Sequence, residues 1–153
     1  MTTPTPPALT GQDIGEAEGA LRGLLDQAIA DMSVSRTEYI VLRVMNARGP
    51  VTPPAQLTAF LAGQPQLDLT PDSAAELLAG LEARGLASGT AAAGAGPAEL
   101  TPEGAALNAR LGAAVAKATR NLFDGFDPGD LAIAHNVLTR LTQRAGDLRA
   151  SNG

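Results

Sequence analysis

The chain has 153 residues, enough for one domain or one plus a small appendage, and a formal charge of −5, and its lack of cysteine excludes disulfide frameworks, thiolate metal sites and thiol nucleophiles. Alanine supplies 30 residues and Leu, Ile, Val and Phe together 34, so the core must be built from Leu and Ala, which suits closely packed helices and excludes a large sandwich or barrel. The acidic balance has the wrong sign for a protein that coats nucleic acid, and no apolar run approaches the roughly 20 residues of a membrane span.

Residues 1–10 are rich in Pro and Thr, predict a disordered lead and lack the basic and apolar regions of a secretion signal, so a cytoplasmic location is expected. From Gly11 to Met32, Ile14, Ala17, Leu21, Leu25, Ala28 and Met32 recur at spacings of three and four, which predicts a first helix. Ser35 with Glu38 three residues later has the pattern of a reciprocal cap, and the helix it starts ends at Gly49-Pro50. Four further helix starts share one device, a Thr or Asp cap followed by Pro, whose missing amide costs nothing in the first turn. They are Thr52-Pro53, Thr70-Pro71, Thr101-Pro102 and Asp127-Pro128, predicting helices over 53–62, 71–83, 102–123 and 128 to about 148. In the last, Leu131, Ala134, Leu138, Leu141, Ala145 and Leu148 form an unbroken seam of the kind by which one helix lies along another. Between Gly85 and Thr101 the periodicity disappears, and two very short strands joined by a flexible tip are expected.

This order resembles the MarR family of winged-helix transcription regulators. The resemblance rests on Thr37-Glu38-Tyr39-Ile40-Val41-Leu42 followed by Gly49-Pro50-Val51-Thr52, and on Gln56-Leu57-Thr58-Ala59-Phe60-Leu61. It continues through Leu81-Glu82-Ala83-Arg84-Gly85-Leu86 and Leu100-Thr101-Pro102-Glu103-Gly104-Ala105-Ala106-Leu107, spanning roughly residues 12–148. It implies a mainly α fold, a winged helix-turn-helix with a small β-hairpin wing and long terminal dimerisation helices. On that reading, 11–148 is one domain, 52–105 is the winged lobe, 11–32 and 102–148 are dimerisation helices, and 149–153 is a flexible tail. It further implies a homodimer held through Ile14, Leu21, Leu131, Leu138, Leu141 and Leu148, with double-stranded DNA as partner. The recognition helix would be 71–83 and the wing 86–100, with Arg36, Thr70, Ser73 and Arg84 as candidate DNA contacts. Family members are often released by small aromatic acids, for which Met32, Tyr39 and Arg43 are the candidate wall.

The residues themselves pull against ordinary DNA reading. Reading needs cations near phosphates and donors near base edges, yet the outward positions of 71–83 include Asp72, Ser73, Ala75, Glu76, Ala79 and Gly80. From Thr52 to Ala105, Arg84 stands alone against Asp68, Asp72, Glu76, Glu82, Glu99 and Glu103, and elsewhere the charges balance. The wing has no basic residue, so the family's Asp-x-Arg-Arg feature is absent, and about eight residues separate the paired helices where three or four are usual. An alternative is therefore the same scaffold with weakened or lost DNA contact, acting through a ligand or a protein partner. Enzymatic chemistry is not expected: His135 is the single histidine, with neither a nucleophile elbow nor metal-ligand spacing around it, and Gly94-Ala-Gly-Pro97 lacks the Lys of a phosphate loop. No cofactor or metal is implied.

Overall fold

The computed structural model describes residue 5 and residues 7–152. Helices α1 (Gly11–Ile29), α2 (Arg36–Arg48), α3 (Pro54–Ala62) and α4 (Pro71–Ala83) precede strands β1 (Ala87–Ser88) and β2 (Glu99–Leu100), and α5 (Pro102–Phe123) and α6 (Pro128–Ser151) follow. The chain divides into two compact units at Ala118/Thr119. Four of the five lead residues that can be located precede the cap of α1; residues 1–4 and 6 lie outside the described residues. Thr10 itself is ordered as that cap: its hydroxyl accepts from the Asp13 amide, and the Asp13 carboxylate accepts from the Thr10 amide.

Most of the caps read from sequence are made. Thr70 Oγ1 accepts from the Ser73 amide at 3.1 Å, Thr101 Oγ1 from the Gly104 amide at 3.1 Å, and Asp127 Oδ1 from the Gly129 amide at 2.7 Å. Two differ. The third helix starts one residue later, with Pro53 rather than Thr52 at the cap and no side-chain capping bond. Ser35 accepts from the Glu38 amide, but the Glu38 carboxylate turns to Arg84 instead of returning to Ser35, because a guanidinium attracts it more strongly than a neutral amide. The last turn of the first helix, Ala30–Met32, tightens to a 3-10 turn, and α6 runs three residues beyond the predicted end.

In the first unit the core is built from Ile29 of α1, Tyr39, Val41, Leu42 and Met45 of α2, Leu57 and Leu61 of α3, Ala74, Leu78 and Leu81 of α4, and Leu107 and Leu111 of α5. Spacings of three and four put each set on one helix face. The hairpin pairs Ala87 with Leu100 and Ser88 with Glu99, and Val51 bridges to Ala98 through two backbone bonds of 3.0 and 2.9 Å. The wing base thus gains a third partner from the segment after α2, which the sequence reading missed because a lone bridging residue has no periodicity.

Where the wing meets α5, the Thr101 hydroxyl donates to the Gly85 carbonyl at 2.6 Å and the Thr101 amide to the Leu86 carbonyl at 3.1 Å. Gly104, buried one turn into α5, sits directly against that Leu86 carbonyl, and a Cβ there would collide with it. On α1, Gly11, Gly15, Gly19 and Gly23 follow one another at every fourth position with open space beyond each.

In the second unit α6 has no buried residue. Ile133, Leu138, Leu141 and Leu148 are 64%, 46%, 42% and 50% exposed, and Phe126 before them is 60% exposed.

Gly104→Ala should therefore destabilise the chain by about 1–3 kcal/mol, as overpacking does, whereas Gly112→Ala on the same helix, which meets nothing within 4 Å, should be neutral or stabilising by up to about 1 kcal/mol. Urea unfolding of both variants checks the contrast.

Candidate nucleic-acid interface

α3 and α4 form a helix-turn-helix whose second member presents one face to solvent. Pro54, Leu57, Thr58 and Leu61 on α3, and Ala74, Leu78 and Leu81 on α4, turn inward. The connection of residues 63–70 is long, as read, but it is anchored: Pro65–Leu67 forms a 3-10 turn, Leu67 is buried, and Asp68 takes a left-handed φ of 51°. The outward face of α4 is Asp72, Glu76, Ala79, Gly80 and Ala83, all exposed, with Ser73 and Ala75 half-buried at its edge.

At the N-terminus of α4 the hydroxyls are already engaged. Each carries one proton. That of Thr70 goes to Ser73 Oγ at 3.1 Å and that of Ser73 to the Thr70 carbonyl at 3.2 Å, while Ser73 Oγ also accepts from the Thr70 amide at 2.9 Å. The Ser73 and Ala74 amides are paired with Thr70 and Pro71 has none, so Asp72 offers the free backbone donor of this turn among the described residues, beside its own carboxylate.

The wing is held to α4 by Glu82. Its carboxylate accepts from the Thr90 hydroxyl at 2.5 Å, the Gly89 amide at 3.1 Å and the Thr90 amide at 3.3 Å. These bonds, the Thr90 hydroxyl above all, hold the Glu82 carboxyl below the ordinary glutamate range. Gly89 has a φ of +66° and packs against the Pro97 carbonyl, so the turn into the exposed tip, residues 91–97, needs glycine there. An anchoring acid on the recognition helix is legible only once the wing's position is known. Sequence reading had placed Glu82 among the repelling charges.

Arg84 leaves the helix in the other direction. Its Nη1 donates to Glu38 Oε2 at 2.7 Å and its Nη2 to the Ser33 carbonyl at 2.8 Å. The sequence-derived DNA candidates therefore fall into two groups. Thr70 and Ser73 lie at the start of α4, while Arg84 lies at its end, a helix length of about 20 Å away. Arg36, two residues before Glu38, lies with the second group and lines a shallow cavity of about 360 Å³ with Asp26, Ile29, Val34, Ser35 and Thr37. Its charge also contributes to holding the Glu18 carboxyl of α1 low, after the larger effect of the Arg22 ion pair. The ligand candidates sit at the same junction. Tyr39 is buried in the core, the Arg43 guanidinium lies 5.7 Å from its ring centroid, and Met32 is half-buried against the core. Arg48, at the end of α2, stacks 4.2 Å from the Phe60 ring and so joins α2 to α3.

Among the described residues no group of three or more His, Cys, Asp or Glu could hold a metal ion, and no helix is long and apolar enough to cross a membrane. His135 is exposed on α6.

Solved structures match this arrangement along most of its length. A MarR family protein of Mycobacterium tuberculosis, Rv2887, in complex with DNA is 22% identical, with a TM-score of 0.69 over 88% of this chain and 98% of that one. The chain has the winged-helix fold of the MarR family. The same mycobacterial protein in complex with salicylic acid superposes with a TM-score of 0.62 at 23% identity, over 88% of this chain and 99% of that one. The transcriptional regulator PA3341 is 24% identical with a TM-score of 0.68, over 90% of this chain and 98% of that one. No protein-family model and no curated protein matches the sequence.

The Glu82 anchor makes a prediction with a defined sign. A carboxyl held below its ordinary value contributes order that is complete above the ordinary carboxylate range, about pH 4, and is lost as pH falls through the lowered value. Protection of the Gly89 and Thr90 amides, taken relative to their intrinsic exchange rate at each pH, should therefore be full from neutral pH down to about 4 and fall below it; in Glu82→Gln it is low at every pH.

Proposed function

We propose that this chain is a homodimeric winged-helix transcription regulator that engages double-stranded DNA through α4 and the wing. The observation that carries the reading is the match, over nearly the full length of both chains, to a protein whose structure contains DNA. Dimerisation is supported by α6, a 24-residue helix without a buried residue whose leucine seam stands open to solvent in the single chain. A second copy is the occupant that the family fold and this seam favour. A cytoplasmic location goes with this role. A small aromatic acid is proposed as effector at the α1–α2 junction, where Met32, Tyr39, Arg43 and the neighbouring cavity lie.

Charge sets the strength of the DNA contact. The outward face of α4 carries two carboxylates, the wing tip is uncharged, and the hydroxyls at the start of α4 are engaged in its cap. Each phosphate contact normally adds about 0.9 to the salt slope, and this lobe supplies few cations to make one. DNA binding is accordingly proposed to be weak at physiological salt and to draw on Arg36 and the other arginines of α2. The acidic face favours a second reading, in which the fold is kept and a ligand or protein partner replaces DNA.

Fluorescence anisotropy of a labelled duplex against ionic strength separates the two. Binding that tightens as salt falls, with protection of a near-palindromic site, is the regulator's outcome; no binding at low salt leaves the second reading. For the dimer, light scattering should give twice the chain mass. Leu138→Asp should give the chain mass with helix content intact, because Leu138 is 46% exposed in the single chain and the new charge is buried only at the seam.

A further inference from the structure

We propose that Arg84 is a positioning residue for the recognition helix and does not contact DNA. This rests on the regulatory reading above. The case begins with the valence of the guanidinium. Two different nitrogens are engaged at once, Nη1 with the Glu38 carboxylate at 2.7 Å and Nη2 with the Ser33 carbonyl at 2.8 Å, and both partners lie about fifty residues earlier in the chain. Ser33 is presented by a left-handed backbone, φ 54° and ψ 39°, an unusual conformation for a residue other than glycine, at the corner between the 3-10 turn after α1 and the start of α2. Glu38 has given up the return bond of its own helix cap to face Arg84.

Arg84 is also the C-cap of α4, where a cation complements the helix dipole. Two residues before it, Glu82 holds the wing through Gly89 and Thr90. Residues two apart on a helix do not share a face. The last turn of α4 is therefore tied on one side to the wing and on the other to α2, and the tie to α2 fixes how α4 and the wing together are set against the rest of the lobe. Three N–H donors of Arg84 stay open, but a phosphate reaching them would share the guanidinium with a carboxylate that already neutralises it, beside a helix that carries Asp72 and Glu76 on its open face.

The pair is partly exposed, with side chains 40% and 28% accessible, so its loss should barely alter global stability. Its effect should appear in geometry.

The test uses the full chain and four variants: Arg84→Met, Arg84→Lys, Glu38→Gln and the exchange Arg84→Glu with Glu38→Arg. Duplex affinity is measured across a salt series, and amide exchange is measured without DNA. A positioning role predicts that Arg84→Met and Glu38→Gln each weaken duplex binding by roughly three- to tenfold with the salt slope unchanged. Arg84→Lys should be intermediate, since a point charge cannot serve both acceptors as a planar fork does. The exchanged pair should regain part of the lost affinity, and without DNA Arg84→Met should speed exchange at residues 33–38 and 81–90. A salt slope shallower by about one in Arg84→Met, with the exchanged pair weaker still, would make Arg84 a phosphate contact and overturn the proposal. Unaltered affinity together with unaltered exchange would overturn it as well. If the native chain binds no duplex at any salt, the regulatory reading fails and positioning for DNA fails with it; the exchange data then decide separately whether the tie to α2 exists.

Discussion

Everything around the wing depends on a steric constraint at one residue. Gly104 brings the first turn of α5 against the Leu86 carbonyl, and only a residue without a side chain fits there. That approach lets Thr101 do two things at once, capping α5 through the Gly104 amide and bonding the Gly85 carbonyl at the end of α4. The end of the recognition helix, both wing strands and the start of α5 thus meet within a few residues. With the strands only two residues long, ladder bonds alone could not hold the wing. Its order comes from this junction, from the Glu82 carboxylate and from the Val51 bridge.

The electrostatics follow from the same geometry. A net charge counted along the sequence treats the acids of the lobe as equal, but they differ in what they do. Glu82 is bonded to the wing, whereas Asp72 and Glu76 stand on the open face of α4. The lobe's cation, Arg84, is turned away from that face toward Glu38. The open face of α4 is thus built from small and acidic side chains.

Much of this was legible before the structure. The Pro-marked starts at Thr70, Thr101 and Asp127, the eight-residue connection, the two short strands and the leucine seam of α6 all carry strong local signals, because caps and periodicities are decided by neighbours in sequence. One failure is local, and the others share one cause, a partner distant in the chain. Thr52 looks like a cap, but Pro54, two residues on, opens the helix and leaves Pro53 at the cap, a shift of one residue. Glu38 looked like a capping partner and Arg84 like a free cation, and each is explained by the other, 46 residues away. Val51 and Glu82 likewise acquire their roles from segments distant in the chain. Local chemistry reveals where elements begin, and long-range pairing decides which polar side chains remain for a partner.

The glycines of α1 carry a different consequence. At Gly15, Gly19 and Gly23 each missing methyl costs an exposed helix roughly 0.5–1 kcal/mol relative to alanine, and nothing among the described residues fills the space beside them. α1 is attached to the core chiefly at its far end, through Ile29. Its first turns therefore open at low cost, and whatever lies along that bare strip governs how long they stay wound.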